Sequence, residues 1–340
     1  MTTAAAFARR GGAALIVVCG VLTLLAPAVA PNPPSRQFDD RSYAPPMRVH
    51  LWHDGRWQGP FVYPQVLRNR IMREFDEDRA TPIALRWFAN GRVVSIDASH
   101  GPLLLAGGDA IGRDVWSRLL LGARRSLGVV LVGAAGALVL GIIIGGLAGT
   151  VGGPVDDWLM LAADFVIVLP GAYVVLVLRS VLPIVLEPAE IFAWMAVVFA
   201  FAGWPHVARG VRAIVAAERA REYAEAARAS GAGRLRLMSQ LVPAARGFLL
   251  VELVLLVPAL LVAEVTVSFL GLGFPEQAAS WGTMLQDVAQ VTVLSNAPWV
   301  LAPAFAVFVV TLAIHLAAGS RLERSTLSVF NSLTADASRR

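Results

Sequence analysis

Lysine is missing altogether: every one of the 29 basic residues in this 340-residue chain is arginine. The chain therefore has no phosphate-gripping lysine of a G-x-x-x-x-G-K-[ST] loop and no amine for a Schiff base. If ATP drives its work, another subunit must hydrolyse it. Cysteine is nearly as scarce. Cys19 stands alone in an apolar run, which excludes an intrachain disulfide and any cysteine-based metal site. Charge is low as well, 16% of residues against 56% hydrophobic, where soluble domains carry roughly a quarter charged and somewhat under half apolar. That balance points to a chain that resides in a membrane.

A hydrocarbon core of about 30 Å takes roughly 20 largely apolar residues in helical form. Six runs meet that measure: residues 11–30, 126–150, 158–178 with Asp164 inside, 191–208, 247–271 with Glu252 and Glu264 inside, and 298–319. The first run also has the basic start and the ending Ala28-Val29-Ala30 of a secretory signal. Its length favours a retained helix, and either reading puts the next segment outside. The expected fold is an all-α polytopic membrane protein of about six helices. Its parts are an N-terminal helix (1–30), an external insert (31–105), a transmembrane domain (106–320) containing a loop at 209–246, and a tail (321–340).

Arginine orients this bundle. The 209–246 loop carries eight arginines and the tail adds Arg321, Arg324, Arg339 and Arg340, whereas the short connections 183–190 and 272–297 carry none. Positive residues stay inside, so the loop and both termini are expected on the cytoplasmic side of the cell inner membrane. Insert 31–105 is also arginine-bearing, but long translocated segments obey that rule poorly. Asn90-Gly91 between residues 83–87 and 93–96, and Asp54-Gly55 between 49–52 and Trp57, are hairpin signals, so the insert reads as mainly β. His50 and His53 have no third ligand nearby and read as surface histidines flanking a turn.

Within the membrane, Gly141, Gly145 and Gly149 recur every four residues and line one helix face with small groups, a packing signature that names no partner. Asp164, Glu252, Glu264 and His315 lie at membrane depth. Each either lines a solute path or is a buried, hydrogen-bonded structural group.

The 209–246 loop contains Arg221-Glu-Tyr-Ala-Glu225-Ala226-Ala227-Arg-Ala-Ser230-Gly231, followed by Ala-Gly-Arg-Leu-Arg-Leu-Met-Ser-Gln-Leu-Val-Pro243. Helix formers over 216–230, ended by a glycine free to turn left-handed, predict a short helix, a hinge and a second short helix returning to the membrane. Glu218 with Arg221, and Glu225 with Arg228, have the spacing of surface ion pairs. The same residues also permit an amphipathic helix resting on anionic lipid headgroups.

This loop resembles the E-A-A…G…L-P coupling loop of binding-protein-dependent ABC importer permeases. Gly112-Arg113-Asp114-Val115-Trp-Ser117-Arg118, Gly122-Ala-Arg-Arg-Ser126-Leu127, Gly152-Gly153-Pro-Val-Asp156, Ser268-Phe-Leu-Gly-Leu-Gly273, Ser280-Trp281-Gly282 and Pro298-Trp299 follow in order. Together they resemble the "C" permease of the dipeptide, oligopeptide and nickel importer family over residues 105–316. The sequence departs from the pattern at Gly107-Gly108-Asp109, at Val242-Pro243-Ala244, and after Ile314-His315, where the usual ending is absent. The resemblance implies a type I permease fold and half of a translocation pathway for peptides, with a metal chelate such as nickel as the alternative cargo. It implies a homologous second permease, two cytoplasmic ATPases carrying ATP and Mg, and an external solute-binding protein. The chain itself is expected to bind no cofactor and no nucleic acid, with the bilayer as its lipid partner. Glu225, Ala226, Ala227, Ser230, Gly231 and Pro243 become the ATPase-coupling residues. A membrane enzyme is the rival, but there is no H-E-x-x-H or G-x-S-x-G, and Asp164 has no second membrane aspartate with which to work.

Overall fold

The computed structural model describes residues 3–70, 72–89, 91–169, 187–289 and 291–318. Helix α1, Thr3–Leu24, opens the chain. After the β insert come α2 (Val115–Val151), α3 (Gly153–Val168) and α4 (Pro188–Arg219). Two short helices, α5 (Glu222–Ala229) and α6 (Arg234–Leu241), lead into α7 (Arg246–Phe269), and the last apolar helix, α8, occupies Pro298–Ala318. Five stretches among the described residues are long and apolar enough to cross a membrane: Phe7–Leu24, Val115–Val151, Pro188–Arg219, Arg234–Phe269 and Pro298–Ala318. The protein is thus mostly helical and multi-pass. The expected run at 158–178 starts within α3 and continues past residue 169, outside the described residues.

Several ends differ from expectation. Helix α2 starts at Val115 rather than near 126, because Asp114 accepts from the Trp116 and Ser117 amides and so caps its first turn. Helix α4 continues to Arg219 instead of stopping near 208. The helix expected over 216–230 is broken, since Arg221 is extended (φ −83°, ψ 152°) and α5 begins afresh at Glu222.

Among its described residues the insert holds seven short strands: β1 (Val49–His53), β2 (Arg56–Val62), β3 (Gln65–Asn69), β4 (Glu74–Glu77), β5 (Ile83–Ala84), β6 (Arg86–Ala89) and β7 (Arg92–Ser95). They form a β1-β2-β5 sheet and the pairs β3-β4 and β6-β7. Asp54 and Gly55 both have positive φ (47° and 75°), the backbone that a two-residue hairpin needs, and they bring Trp52 opposite Trp57. The second hairpin pairs Trp87 with Val94 and Ala89 with Arg92. Beneath the strands lies a core of Ala44, Met47, Val62, Ile83, Leu103 and Leu104. His50 stacks on Phe61 and meets Tyr63 at a tilt, and His53 Nδ1 lies 2.9 Å from the Tyr63 hydroxyl. Among the described residues no group of three or more His, Cys, Asp or Glu side chains is placed to hold a metal ion.

The chain divides into two compact units. One comprises residues 1–16, 129–263 and 311–340, the other residues 17–128 and 264–310.

Candidate coupling loop and buried polar centres

In the first unit, the glycine stripe of α2 meets α4. A Cβ built on Gly141 would run into the Val207 side chain, one on Gly145 into the Ala208 backbone, and one on Gly149 would come within 2.8 Å of the Arg212 carbonyl and 2.9 Å of Val215 Cβ. The absence of side chains thus lets the two helix backbones approach. The close approach continues at Gly133 and Gly136, which face Phe199 and Ala200.

Asp156 near the start of α3 forms a two-pronged ion pair with Arg212 of α4, with Nε 2.9 Å from Oδ1. Asp164 is paired with Arg209. Arg219 donates to the Val151 carbonyl at 3.0 Å, where the chain turns through Gly152 and Gly153 with positive φ. These arginines near the end of α4 therefore tie α2, α3 and α4 together. Asp164, a candidate for the solute path, is engaged in this way; Glu252 is half-buried on α7, and His315 is exposed, its Nδ1 2.8 Å from the Thr311 carbonyl of its own helix.

Helix α5 sits on the same unit. Ala224 is fully buried in a cluster with Val207, Val211 and Val215 of α4, Leu237 and Leu241 of α6, and Ala245, and Ala227 packs against its margin. Glu222, Glu225, Ala226, Ala229 and Ser230 are exposed. The two alanines of the motif therefore face different ways: Ala226 outward, Ala227 toward the protein's own core. Of the two, Ala226 is exposed, whereas Ala227 is partly covered by the protein's own core. Gly231 closes the helix at φ 80°, with the Ala232 amide donating to the Ala227 carbonyl at 3.0 Å. Arg221 pairs with Glu218 at 3.0 Å and Arg228 with Glu225 at 3.8 Å. Pro243 lies exposed in a 3-10 turn, Val242–Ala245, just before α7.

In the second unit, Glu264 is wholly buried (0% exposed) and accepts from the Ser268 hydroxyl at 2.9 Å. Ser280 caps a short helix, Trp281–Met284, and the Trp281 amide donates to Ser126 Oγ at 3.0 Å. Gly282 is glycine for a reason, since a Cβ there would press on Ser268 Cβ and the Val265 carbonyl. A second centre gathers Asp109, Arg113, Arg118 and Glu276. Arg113 Nε is 2.6 Å from Asp109 Oδ2, its Nη2 3.2 Å from Glu276 Oε1, and Arg118 Nε 3.5 Å from Asp109 Oδ2. Asp287 is drawn in through the Ala110 amide at 3.3 Å; burial and the neighbouring Asp109 charge raise its carboxyl above the ordinary range. Burial likewise pushes Asp114 up to about 6, against hydrogen bonds from Ser117 and Asn32 that act in the opposite direction. The sequence motifs contained Arg113, Asp114, Arg118 and Asp156 but neither their partners Arg212 and Glu276 nor the pairings: Asp156 and Arg212 stand 56 positions apart, Arg113 and Glu276 163. The one available signal was a buried-type charge inside an apolar segment.

Residues 137–320 match the family described as the binding-protein-dependent transport system inner membrane component. The chain belongs to that family. Among curated relatives, this permease is 33% identical over 249 residues to the dipeptide transport system permease protein DppC of Bacillus subtilis (strain 168), covering 73% of this chain and 69% of the relative. It is 34% identical over 226 residues to the nickel transport system permease protein NikC of Escherichia coli (strain K12), covering 66% and 78%. With the oligopeptide transport system permease protein OppC of Bacillus subtilis (strain 168) it shares 36% over 194 residues, covering 57% of this chain and 61% of the relative. The family is one of ABC importer permease subunits, transport components rather than enzymes. The match takes in the glycine stripe, the α5 loop and the Glu264 centre, and it leaves out the β insert.

Proposed function

We propose that this permease forms half of the translocation pathway of an ATP-driven peptide importer and transmits nucleotide-driven motion through α5. It pairs with a homologous permease above two ATPases that carry the ATP and Mg, and receives cargo from an external solute-binding protein. The observation that carries the coupling role is the two-sided build of α5. One side is anchored in the permease's own core through Ala224 and Ala227, while Glu225, Ala226 and Ser230 present a small, charged, exposed face. A helix resting on lipid would present bulky apolar groups there, and Glu225 would be repelled by anionic headgroups. A groove in an ATPase takes such a face, and the anchored side passes its movement to α4 and α6 as one rigid piece.

Peptide cargo rests on the dipeptide and oligopeptide relatives; the nickel relative supports a metal chelate as the second reading. The test is uptake in cells expressing the complete importer, comparing labelled di- and oligopeptides with labelled nickel. Peptide uptake that depends on the permease is the expected result, and nickel uptake alone overturns the cargo assignment. In the same cells, Ala226→Trp is expected to leave the permease inserted and paired but to abolish uptake and solute-stimulated ATP hydrolysis together. Wild-type transport by that variant would return α5 to the lipid-surface reading.

A further inference from the structure

Helices α1, α7 and α8 line an open groove of about 630 Å³ within the first unit. Its walls come from single helix faces. Arg9, Ala13 and Ile16 follow the i, i+4, i+7 stripe of α1, Gly247, Leu250, Val251 and Val254 the matching stripe of α7, and Ile314, Ala317 and Ala318 that of α8. Small residues carve the space. A Cβ on Gly247 would meet nothing within 4 Å, while on α1 Gly12 is pressed against Ala317 and Leu316, which locks α1 to α8 beside the opening.

Apart from Arg9 and Arg10 the named lining is apolar, and among the described residues no acidic side chain contributes to it. Both arginines are exposed at the start of α1, and the lining reaches Gly247 at the start of α7 and Ala318 at the end of α8. The cations thus belong to the same end of the bundle as the loop that the arginine pattern places in the cytoplasm. An apolar slot between membrane helices with a cationic end matches a ligand with apolar chains and an anionic head.

We propose that this groove holds an anionic phospholipid of the bilayer, its acyl chains along α7 and α8 and its phosphate between Arg9 and Arg10. Charge complementarity selects the lipid over a helix of a partner subunit, which would have to bring its own carboxylates to the arginines. A zwitterionic lipid offers the same chains but no net charge for the two arginines, so the groove discriminates by headgroup.

The inference is independent of cargo and of ATPase coupling. The test is native mass spectrometry of the complete complex in mild detergent, with phosphatidylglycerol or phosphatidylcholine added. Several-fold higher occupancy by phosphatidylglycerol is expected. It should fall to the phosphatidylcholine level in the Arg9→Gln/Arg10→Gln variant and persist in Arg9→Lys/Arg10→Lys. Because removing cations near a helix start can disturb insertion, Leu250→Trp, with both arginines intact, supplies the second arm by filling the slot; it should lower occupancy of both lipids. Equal binding of the two lipids, or phosphatidylglycerol occupancy unchanged in the glutamine or the tryptophan variant, overturns the proposal. So does efficient capture of the partner permease by a photo-activatable crosslinking residue placed at Ala13.

Discussion

At the scale of the residue, glycine serves two purposes in this permease, and they can be told apart by substitution. At Gly145 there is no room: a β-carbon collides with the Ala208 carbonyl and lies 2.9 Å from Ala208 Cα, both backbone atoms of a helix that cannot yield cheaply. At Gly11 there is nothing within 4 Å. Gly145→Val is therefore expected to cost about 1–3 kcal/mol or more by forcing α2 and α4 apart. Gly11→Ala removes a weak helix former and is expected to be neutral or to stabilise by up to about 1 kcal/mol. Thermal unfolding of the purified complex compares the two, and a Gly145→Val complex as stable as wild type would refute the close helix contact. The every-fourth-residue spacing of these glycines is legible in the sequence alone. That the facing element is α4 is not, because a small-residue stripe carries no information about which helix fills it.

At the scale of the element, the informative contrasts lie where local signals conflicted with distant partners. Hydropathy places the start of α2 too late because three arginines, Arg118, Arg124 and Arg125, suggest solvent. Arg118 is in fact buried against Asp109 and the Glu276 carbonyl, and Arg125 donates to the Ala279 carbonyl at 3.0 Å. Those acceptors come from remote sequence, so no window reading could cancel the charges. The β insert was legible at its turns, since Asp54-Gly55 dictates its own backbone, but the grouping of strands into three small sheets was not. The structure also directs where to probe the insert. The β6–β7 hairpin is a poor target, because Val94 packs on the insert core and Arg92 reaches the Pro31 carbonyl. The β1–β2 hairpin ends instead in Trp52 and Trp57, in edge contact at 5.7 Å yet 62% and 60% exposed. Exposed paired tryptophans are typical anchors for a partner. Trp52→Ser/Trp57→Ser is expected to leave thermal stability nearly unchanged and to weaken solute-binding protein affinity by about tenfold or more, as a lost hot spot of at least 1.4 kcal/mol would. Unaltered affinity in a titration against the purified complex would make the insert a passive cover.

At the scale of the whole molecule, the number of crossings decides the sidedness of everything else, and it converges on one measurement. Between Asp54 in the insert and Glu225 on α5 the chain passes through α2, the 158–178 run and α4. Three crossings put the two residues on opposite sides of the membrane, whereas two put them on the same side. Arginine asymmetry favours three, because only then does the arginine-rich loop face the cytoplasm while the insert faces outward. Asp54 is 90% exposed and Glu225 68%, so both accept a reporter without disturbing packing. Arg228 is a worse position, since its guanidinium bonds the Arg219 carbonyl at 3.0 Å. In a variant with Cys19 replaced by alanine, Asp54→Cys is expected to react with a membrane-impermeant thiol reagent in intact cells. Glu225→Cys should react only after the membrane is opened. If both react in intact cells, the 158–178 run does not cross, α5 lies outside, and its proposed contact with cytoplasmic ATPases is impossible.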